Sequence, residues 1–425
     1  MRRFLPLSLG GQIIIAIPLI AYTLVRASPE PGAPAHWSVA TNISNSSLHI
    51  SGPRIAAQED GILQVVWIDG VVDPLIGNGN LFYKKSEDQG SSWSNGEQLT
   101  SEEESYRGNI VLGPNGTVHL VWIERESFQN FSVEYAAKAS SGSWVTSTVA
   151  GPAFQQEPAI GLGENYIYIV WQKVDLGHLN IWYSYKPITI TITTWAEPQL
   201  IMDTIPGSFA PDVSVDSQGN AHVVWQEDVN EGAIWYSKGS WNGTFNWSGP
   251  ITLSEGLTGC VTPAIAVGSD NYVHIVWGRH ISDDEQYVYY ANFPHNDPGS
   301  ITTPVQVFTE AVGVSTEAPT YLYPRLAIRG DSEIHVVWHG KAETDITDQI
   351  WYAVSQDKGS SWSSPIKISR EATRQGVAPD IALDGEMGHV VWQGKDESDR
   401  YQVMYSRGFP YAVYLPMVTK SYSGG

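Results

Sequence analysis

The chain has 425 residues, with 45 acidic against 24 basic side chains, a formal net charge of −21 and 42% hydrophobic residues. That length and apolar content can bury a large core, while the negative charge excludes a nucleic-acid binder working through a general basic field, because phosphate would be repelled. One cysteine, Cys260, excludes an intramolecular disulfide and a cysteine-based zinc site.

The N-terminus reads as a targeting segment. Arg2 and Arg3 precede an apolar stretch from Phe4 to Val25, and Val25-Arg26-Ala27 offers small residues to a signal peptidase. Residues 1–27 are therefore expected to be a cleaved export signal, or else an uncleaved anchor, since the stretch is nearly long enough to span a bilayer. Either outcome places the remainder outside the cytoplasm, at the surface of a cell or released from it. An exported protein without a disulfide points to a prokaryote. Membrane association is expected only through this segment if it is retained.

From residue 37 to residue 410 the chain repeats. Val-Trp or its equivalent recurs at Trp67, Trp122, Trp171, Trp225, Trp277, Trp338 and Trp392, at intervals of 55, 49, 54, 52, 61 and 54 residues. A Pro stands about fourteen residues before most of them: Pro53, Pro158, Pro211, Pro263, Pro324 and Pro379. A third run follows each polar loop, as in Leu81-Phe82-Tyr83 or Ile234-Trp235-Tyr236, and a fourth closes most units, as in Trp362 to Ser369. Each run is short, β-branched or aromatic, and bounded by turn residues, which is the strand pattern. Four antiparallel strands per unit, repeated seven times, predict an all-β, seven-bladed β-propeller. The last unit lacks its fourth run, and Trp37 to Ser44 matches Trp362 to Ser369. The N-terminal strand is thus expected to complete blade seven and close the ring.

His precedes the repeat Trp by three residues at His119, His222, His274, His335 and His389, with Gln64 and Tyr168 in the other two units. Residues at equivalent places are spread around a ring, too far apart to share one ion, so this row is expected to pack between blades and satisfy backbone groups. No metal site and no cofactor are expected. The loops at Asp283-Asp284-Glu285, Asp345 to Asp348 and Asp396 to Asp399 are rich in the oxygens that calcium prefers. They lack the D-x-D-x-D-G spacing, and solvated loops are the expectation.

Two hairpins share the spacing S-x-D-x-G-x-x-W: Ser86, Asp88, Gly90, Trp93 and Ser355, Asp357, Gly359, Trp362. Asp can accept from turn amides, Gly can take a positive φ, and Trp can pin the loop to the core. On these residues the chain resembles the Asp-box (BNR) repeats of the sialidase-like propeller superfamily. The resemblance implies that the boxes stabilise peripheral turns and touch no substrate. It does not fix an activity.

Function should sit where the sevenfold sameness breaks. The residue after the repeat Pro varies: Arg54, Asn109, Ala159, Asp212, Ala264, Arg325, Asp380. So do those just beyond the repeat Trp: Asp69, Glu124, Lys173, Glu227, Arg279, His339, Gln393. The candidate site is a ring of Arg54, Asp69, Glu124, Asp212, Glu227, Arg279, Arg325, His339 and Asp380 around the mouth of the central channel. By the resemblance, three Arg would clamp a sugar carboxylate, here Arg54, Arg279 and Arg325. Asp69 or Glu124 would be the acid/base, and Tyr323 or Tyr106 the phenol. Sialidases, however, have six blades and a Phe/Tyr-Arg-Ile-Pro motif; here Pro53-Arg54-Ile55-Ala56 keeps only Arg-Ile. No catalytic residue is therefore assigned. Three classes stay open: a module binding an extracellular glycan or cell-surface protein, a glycoside hydrolase of exo-sialidase type (or a lyase) using the central face, and a scaffold. The tail, residues 411–425, begins with an apolar run that is either a sorting element or a strand on the last blade.

Overall fold

The computed structural model describes residues 36–71, 78–101, 104–175, 177–191, 194–229, 231–315, 321–343, 345–369 and 375–409. The segments 1–27 and 411–425, read above as leader and tail, lie outside them. No helix among the described residues is long and apolar enough to cross a membrane.

Seven antiparallel sheets follow one another along the chain, each opening with an inner strand and continuing outward. Blade 1 is His49–Ala57, Leu63–Val71, Asn80–Ser86 and Glu97–Gln98. Blades 2 to 6 repeat this order, with inner strands Ser105–Leu112, Gln155–Leu162, Ser208–Val215, Cys260–Val267 and Arg325–Arg329 and outer strands Val145–Ala153, Gln199–Met202, Ile251–Thr252, Val305–Gln306 and Ile366–Lys367, and blade 4 carries a short additional hairpin, Ala233–Asn242 against Thr244–Trp247. Blade 7 has three strands from the end of the chain, Gly376–Leu383, Gly388–Lys395 and Tyr401–Phe409. Its outer edge is supplied by the beginning of the chain: His36–Trp37 and Thr41–Asn42 both pair with Tyr401–Phe409. The ring is therefore seven-bladed and closed by strand pairing, as the sequence predicts. Closure hides the edges that two open ends would expose.

The repeating side chains build the walls between blades. The repeat Trp are buried, with Trp171, Trp277 and Trp392 fully inaccessible. All five repeat His are buried as well. Their Nδ1 atoms meet a Tyr hydroxyl of the third strand of the same blade, in His119–Tyr135 (2.6 Å), His222–Tyr236 (2.7 Å), His274–Tyr290 (2.6 Å), His335–Tyr352 (2.8 Å) and His389–Tyr405 (2.8 Å). The partner is thus a phenol, not the backbone group expected from sequence. In blade 1 the Tyr83 hydroxyl donates to Gln64 Oε1 at 2.7 Å, which accounts for Gln in the His place.

The Tyr at this third-strand place, which in blade 3 is Tyr183 bonded instead to Gln199, receives an aromatic edge from the next blade. Trp93 meets Tyr405 at a centroid distance of 5.2 Å, Trp144 meets Tyr83 at 5.3 Å, Trp195 meets Tyr135 at 5.0 Å and Trp247 meets Tyr183 at 5.1 Å. Phe293 stands against Tyr236 at 5.0 Å, and Trp362 against Tyr290 at 5.2 Å. Trp37 completes the circuit on Tyr352 at 5.0 Å. Edge-to-face pairs contribute about 0.5–1.5 kcal/mol each beyond the area they bury. Trp37 makes this contact for blade 7 from the opposite end of the chain, which is why the closing strand reads like Trp362 to Ser369.

The two Ser-x-Asp-x-Gly-x-x-Trp hairpins form matching turns. Asp88 accepts from the Ser92 amide (2.8 Å) and hydroxyl (2.6 Å), and Ser86 Oγ accepts from the Gly90 amide (2.8 Å). Asp357, Ser361, Ser355 and Gly359 repeat the same three bonds. Gly90 and Gly359 have φ of 78° and 82°, and each turn lies against the Tyr that its Trp touches.

Candidate functional site

Six of the seven inner strands carry a β-bulge at one place. The pairing register shifts between Ser51 and Arg54, Tyr106 and Asn109, Gln156 and Ala159, Phe209 and Asp212, Val261 and Ala264, and Val377 and Asp380. At each bulge one residue has a positive φ: Gly52, Arg107, Glu157, Ala210, Thr262 and Ala378, between 47° and 55°. Side chains other than Gly rarely adopt this conformation, and bulges re-aim side chains next to sites. Neighbouring blades help to hold it. Gln172 Oε1 accepts from the Ala210 amide (3.0 Å), Gln226 Oε1 from Thr262 (3.4 Å) and Gln393 Oε1 from Gly52 (3.4 Å).

The bulges surround a cavity of about 310 Å³ lined by all seven blades, which places it on the ring axis. Its cationic side chains are Arg54, Arg107 and Arg325, from blades 1, 2 and 6; Glu157 and Asp212 supply acid, and Tyr321, Tyr323 and Tyr401 supply rings. Arg107 Nε pairs with Glu157 Oε1 at 3.2 Å, joining two bulge residues of adjacent blades. Asp380 faces the same group. Its Oδ2 accepts from the Ile55 amide of blade 1 at 2.9 Å, and Asp212 Oδ2 accepts from the Ile265 amide of blade 5 at 3.0 Å. Each of these carboxylates thus ties its blade to the next.

These groups border the channel and keep some solvent contact, yet they are enclosed by protein, and their ionisation reflects that. Burial, reinforced by the Arg325 charge, pulls Arg54 down to about 10, which leaves it a cation at neutral pH. Glu157 pushes Arg107 up. Burial raises Asp212 and Asp380 in spite of their Arg neighbours. Burial also raises Tyr323. The cavity holds three guanidinium forks at close range, the side chain best suited to planar oxyanions such as carboxylates.

The structure divides the ring predicted from sequence. Arg54, Asp212 and Arg325 line the cavity and Asp380 adjoins it. Asp69, Glu124 and Glu227 do not line it. Each stands two residues past its Trp, on the same side of the strand, and accepts from the indole Nε1: Trp67 to Asp69 (3.0 Å), Trp122 to Glu124 (2.9 Å) and Trp225 to Glu227 (3.0 Å). A Ser hydroxyl adds a second bond to each, from Ser46, Ser105 and Ser208. They are clips within the wall, one strand out from the axis. His339 is fully buried behind the wall, its ring stacked on Tyr323 at 6.2 Å. Tyr106 packs on Phe131. Arg279 lines a separate cavity between blades 4 and 5. The third arginine lining the axial cavity is Arg107, in place of the Arg279 that the resemblance implied. Its signal was present: Arg107 precedes Gly108 where the other units have their residue before Pro. Only the bulge turns that residue toward the axis.

Among the described residues, Asp216, His222 and His295 form a buried group with the donor types that bind metals. Asp216 Oδ2 accepts from Asn220 and meets both imidazoles, at 3.1 Å from His222 and 2.6 Å from His295, so hydrogen bonds already join the group across blades 4 and 5. In the acidic loops considered for calcium, Asp345 pairs with Lys367 and Asp396 with Arg400, and Asp283 lies 3.3 Å from His280 Nε2.

Residues 21–249, just over half of the chain, match the family described as "BNR repeat-containing family member". No curated protein matches. Among solved structures, a PL25 ulvan lyase bound to GlcA(1-4)Rha3S has 10% identity and a TM-score of 0.56, with 86% of this chain and 95% of that one covered. The BP39L lectin from Burkholderia pseudomallei has 16% identity and a TM-score of 0.56, covering 85% and 96%. The α-L-arabinofuranosidase arb93a from Fusarium graminearum, in complex with an iminosugar inhibitor, has 14% identity and a TM-score of 0.51, covering 87% and 97%. At these identities the likeness is one of fold.

Proposed function

We propose, from the premise that this chain belongs to the BNR repeat-containing family, that it is an exported glycan-binding propeller whose axial cavity holds a carboxylated sugar. One observation carries the reading: Arg54, Arg107 and Arg325, from three separate blades, converge on one cavity. Guanidinium forks can engage a carboxylate through two oxygens at once, and the neighbouring Tyr321 and Tyr323 offer ring faces to a pyranose. The net charge of −21 would repel acidic polymers at long range. That repulsion is screened within about 8–10 Å in physiological salt, so a local Arg cluster can prevail at contact. The company of propeller hydrolases, lyases and a lectin supports a carbohydrate ligand and is neutral on turnover. A hydrolytic reading would enlist Asp212 and Asp380, whose carboxyls are raised by burial. Both, however, accept backbone bonds that fix them as clamps between blades, which favours binding. The structural neighbour's GlcA makes D-glucuronate the first probe. Calorimetric titration of the full chain should show binding that falls at least tenfold in Arg54→Ala and Arg325→Ala, with unchanged melting. Equal binding of D-glucuronate and D-glucose would refute the reading, and turnover of glucuronides abolished by Asp212→Asn or Asp380→Asn would replace it with the enzymatic one.

A further inference from the structure

The second cavity, of about 330 Å³, opens between blades 4 and 5, and Tyr321 lines both it and the axial one. Each volume is at the lower end for a small-ligand site. Tyr321 is the aromatic wall that the two cavities share. Their chemistry differs. The axial compartment gathers three guanidinium groups. The outer one opposes the acids Asp228 and Glu231, both exposed, to Arg279 and His280. Arg279 is held in place by its Nε bond to the Thr258 carbonyl (3.0 Å) and lies over Tyr289. The His280 ring meets Tyr321 edge-on at 5.3 Å, which props the shared wall.

Resting on the reading of the axial cavity given above, we infer that the ligand is a chain of at least two sugars, a carboxylated unit on the axis bonded to a neutral, hydroxyl-rich unit in the outer compartment. A second carboxylate there would meet Asp228 and Glu231. Neutral hydroxyls instead donate to those carboxylates and accept from Arg279, while the apolar face of the ring covers Tyr321. A module built this way would prefer a mixed acidic–neutral polysaccharide to a free uronate or to a homopolymer of uronates.

The test titrates the full chain with four probes: D-glucuronate, digalacturonate, and two disaccharides of glucuronate and rhamnose with the acid at either end. One mixed disaccharide is expected to bind about tenfold more tightly than glucuronate, a gain of about 1.4 kcal/mol, and digalacturonate no more tightly than glucuronate. Arg279→Ala and Glu231→Ala should each reduce that gain, and the double variant should abolish it, while glucuronate affinity stays unchanged in all three. Equal affinities for glucuronate and both mixed disaccharides would overturn the inference, as would a gain that survives the double variant or appears equally with digalacturonate. Failure of the axial reading looks different: no probe binds, or Arg54→Ala leaves glucuronate binding intact.

Discussion

Gly359→Ala tests how the blades are joined. Gly359 is buried, has φ of 82°, and sits in the turn that Ser355 and Asp357 organise. A Cβ there would stand 2.6 Å from Tyr290 Cδ1 and nearer still to Cε1. Tyr290 cannot easily move aside. Its hydroxyl meets His274 Nδ1 (2.6 Å), donates to the Lys358 carbonyl (3.1 Å) and accepts from Asn292 (3.0 Å), and Trp362 abuts its ring. Left-handed backbone costs an alanine about 1–2 kcal/mol relative to glycine, and overpacking adds about 1–3 kcal/mol. Gly243→Ala provides the internal standard. Its φ is 80°, and a Cβ there meets nothing within 4 Å, so it carries the backbone cost alone. Urea unfolding should place Gly359→Ala about 2–5 kcal/mol below the parent and Gly243→Ala about 1–2 kcal/mol below it. In a thermal scan the difference between the two is several degrees at about 2 °C per kcal/mol. If the two variants lost equal stability, the Tyr–His–Trp contact between blades would not be a rigid joint.

Acid should weaken the fold through the repeat histidines. Burial pulls His119 and His274 down to about 4. Between the ordinary value near 6.5 and pH 4 the unfolded chain therefore takes up protons that the folded chain does not, and stability falls by up to about 1.4 kcal/mol per pH unit for each of them. Above pH 6.5 the term vanishes. His119→Gln, which copies the Gln64–Tyr83 pair of blade 1, should flatten the stability profile measured from pH 4.5 to 7 by about that slope; an unaltered profile would refute the assignment. Trp225→Phe removes one of the donors to the buried Glu227 carboxylate and should cost about 1–3 kcal/mol, read by urea unfolding. Glucuronate affinity should not change in this variant, because Glu227 lies outside the axial cavity. Asp380→Asn keeps an acceptor for the Ile55 amide and removes a negative charge facing Arg54 and Arg325. Calorimetry should find glucuronate bound several-fold more tightly, and weaker binding would count against an anion-holding cavity.

The blade count, the closing strand and the structural character of the Trp and His rows were legible in the sequence, because they depend on local alternation and on equivalence between units. Trp37 could be matched to Trp362 from the letters alone, since both fill the same wall. The axial site was half legible. Arg54, Asp212, Arg325 and Asp380 follow the repeat Pro or its register, on the strand nearest the axis, and the structure puts them at or beside the cavity. Asp69, Glu124 and Glu227 break the symmetry just as visibly, but they lie one strand farther out on the side of their own Trp, where an indole N–H captures each carboxylate. Arg107 and Glu157 cannot be picked out from sequence, because their direction is set by a bulge with positive φ. Sequence thus determined which residues differ from unit to unit. Radius, strand face and backbone handedness, which exist only once seven blades stand against one another, decided which of those differences meet in one place.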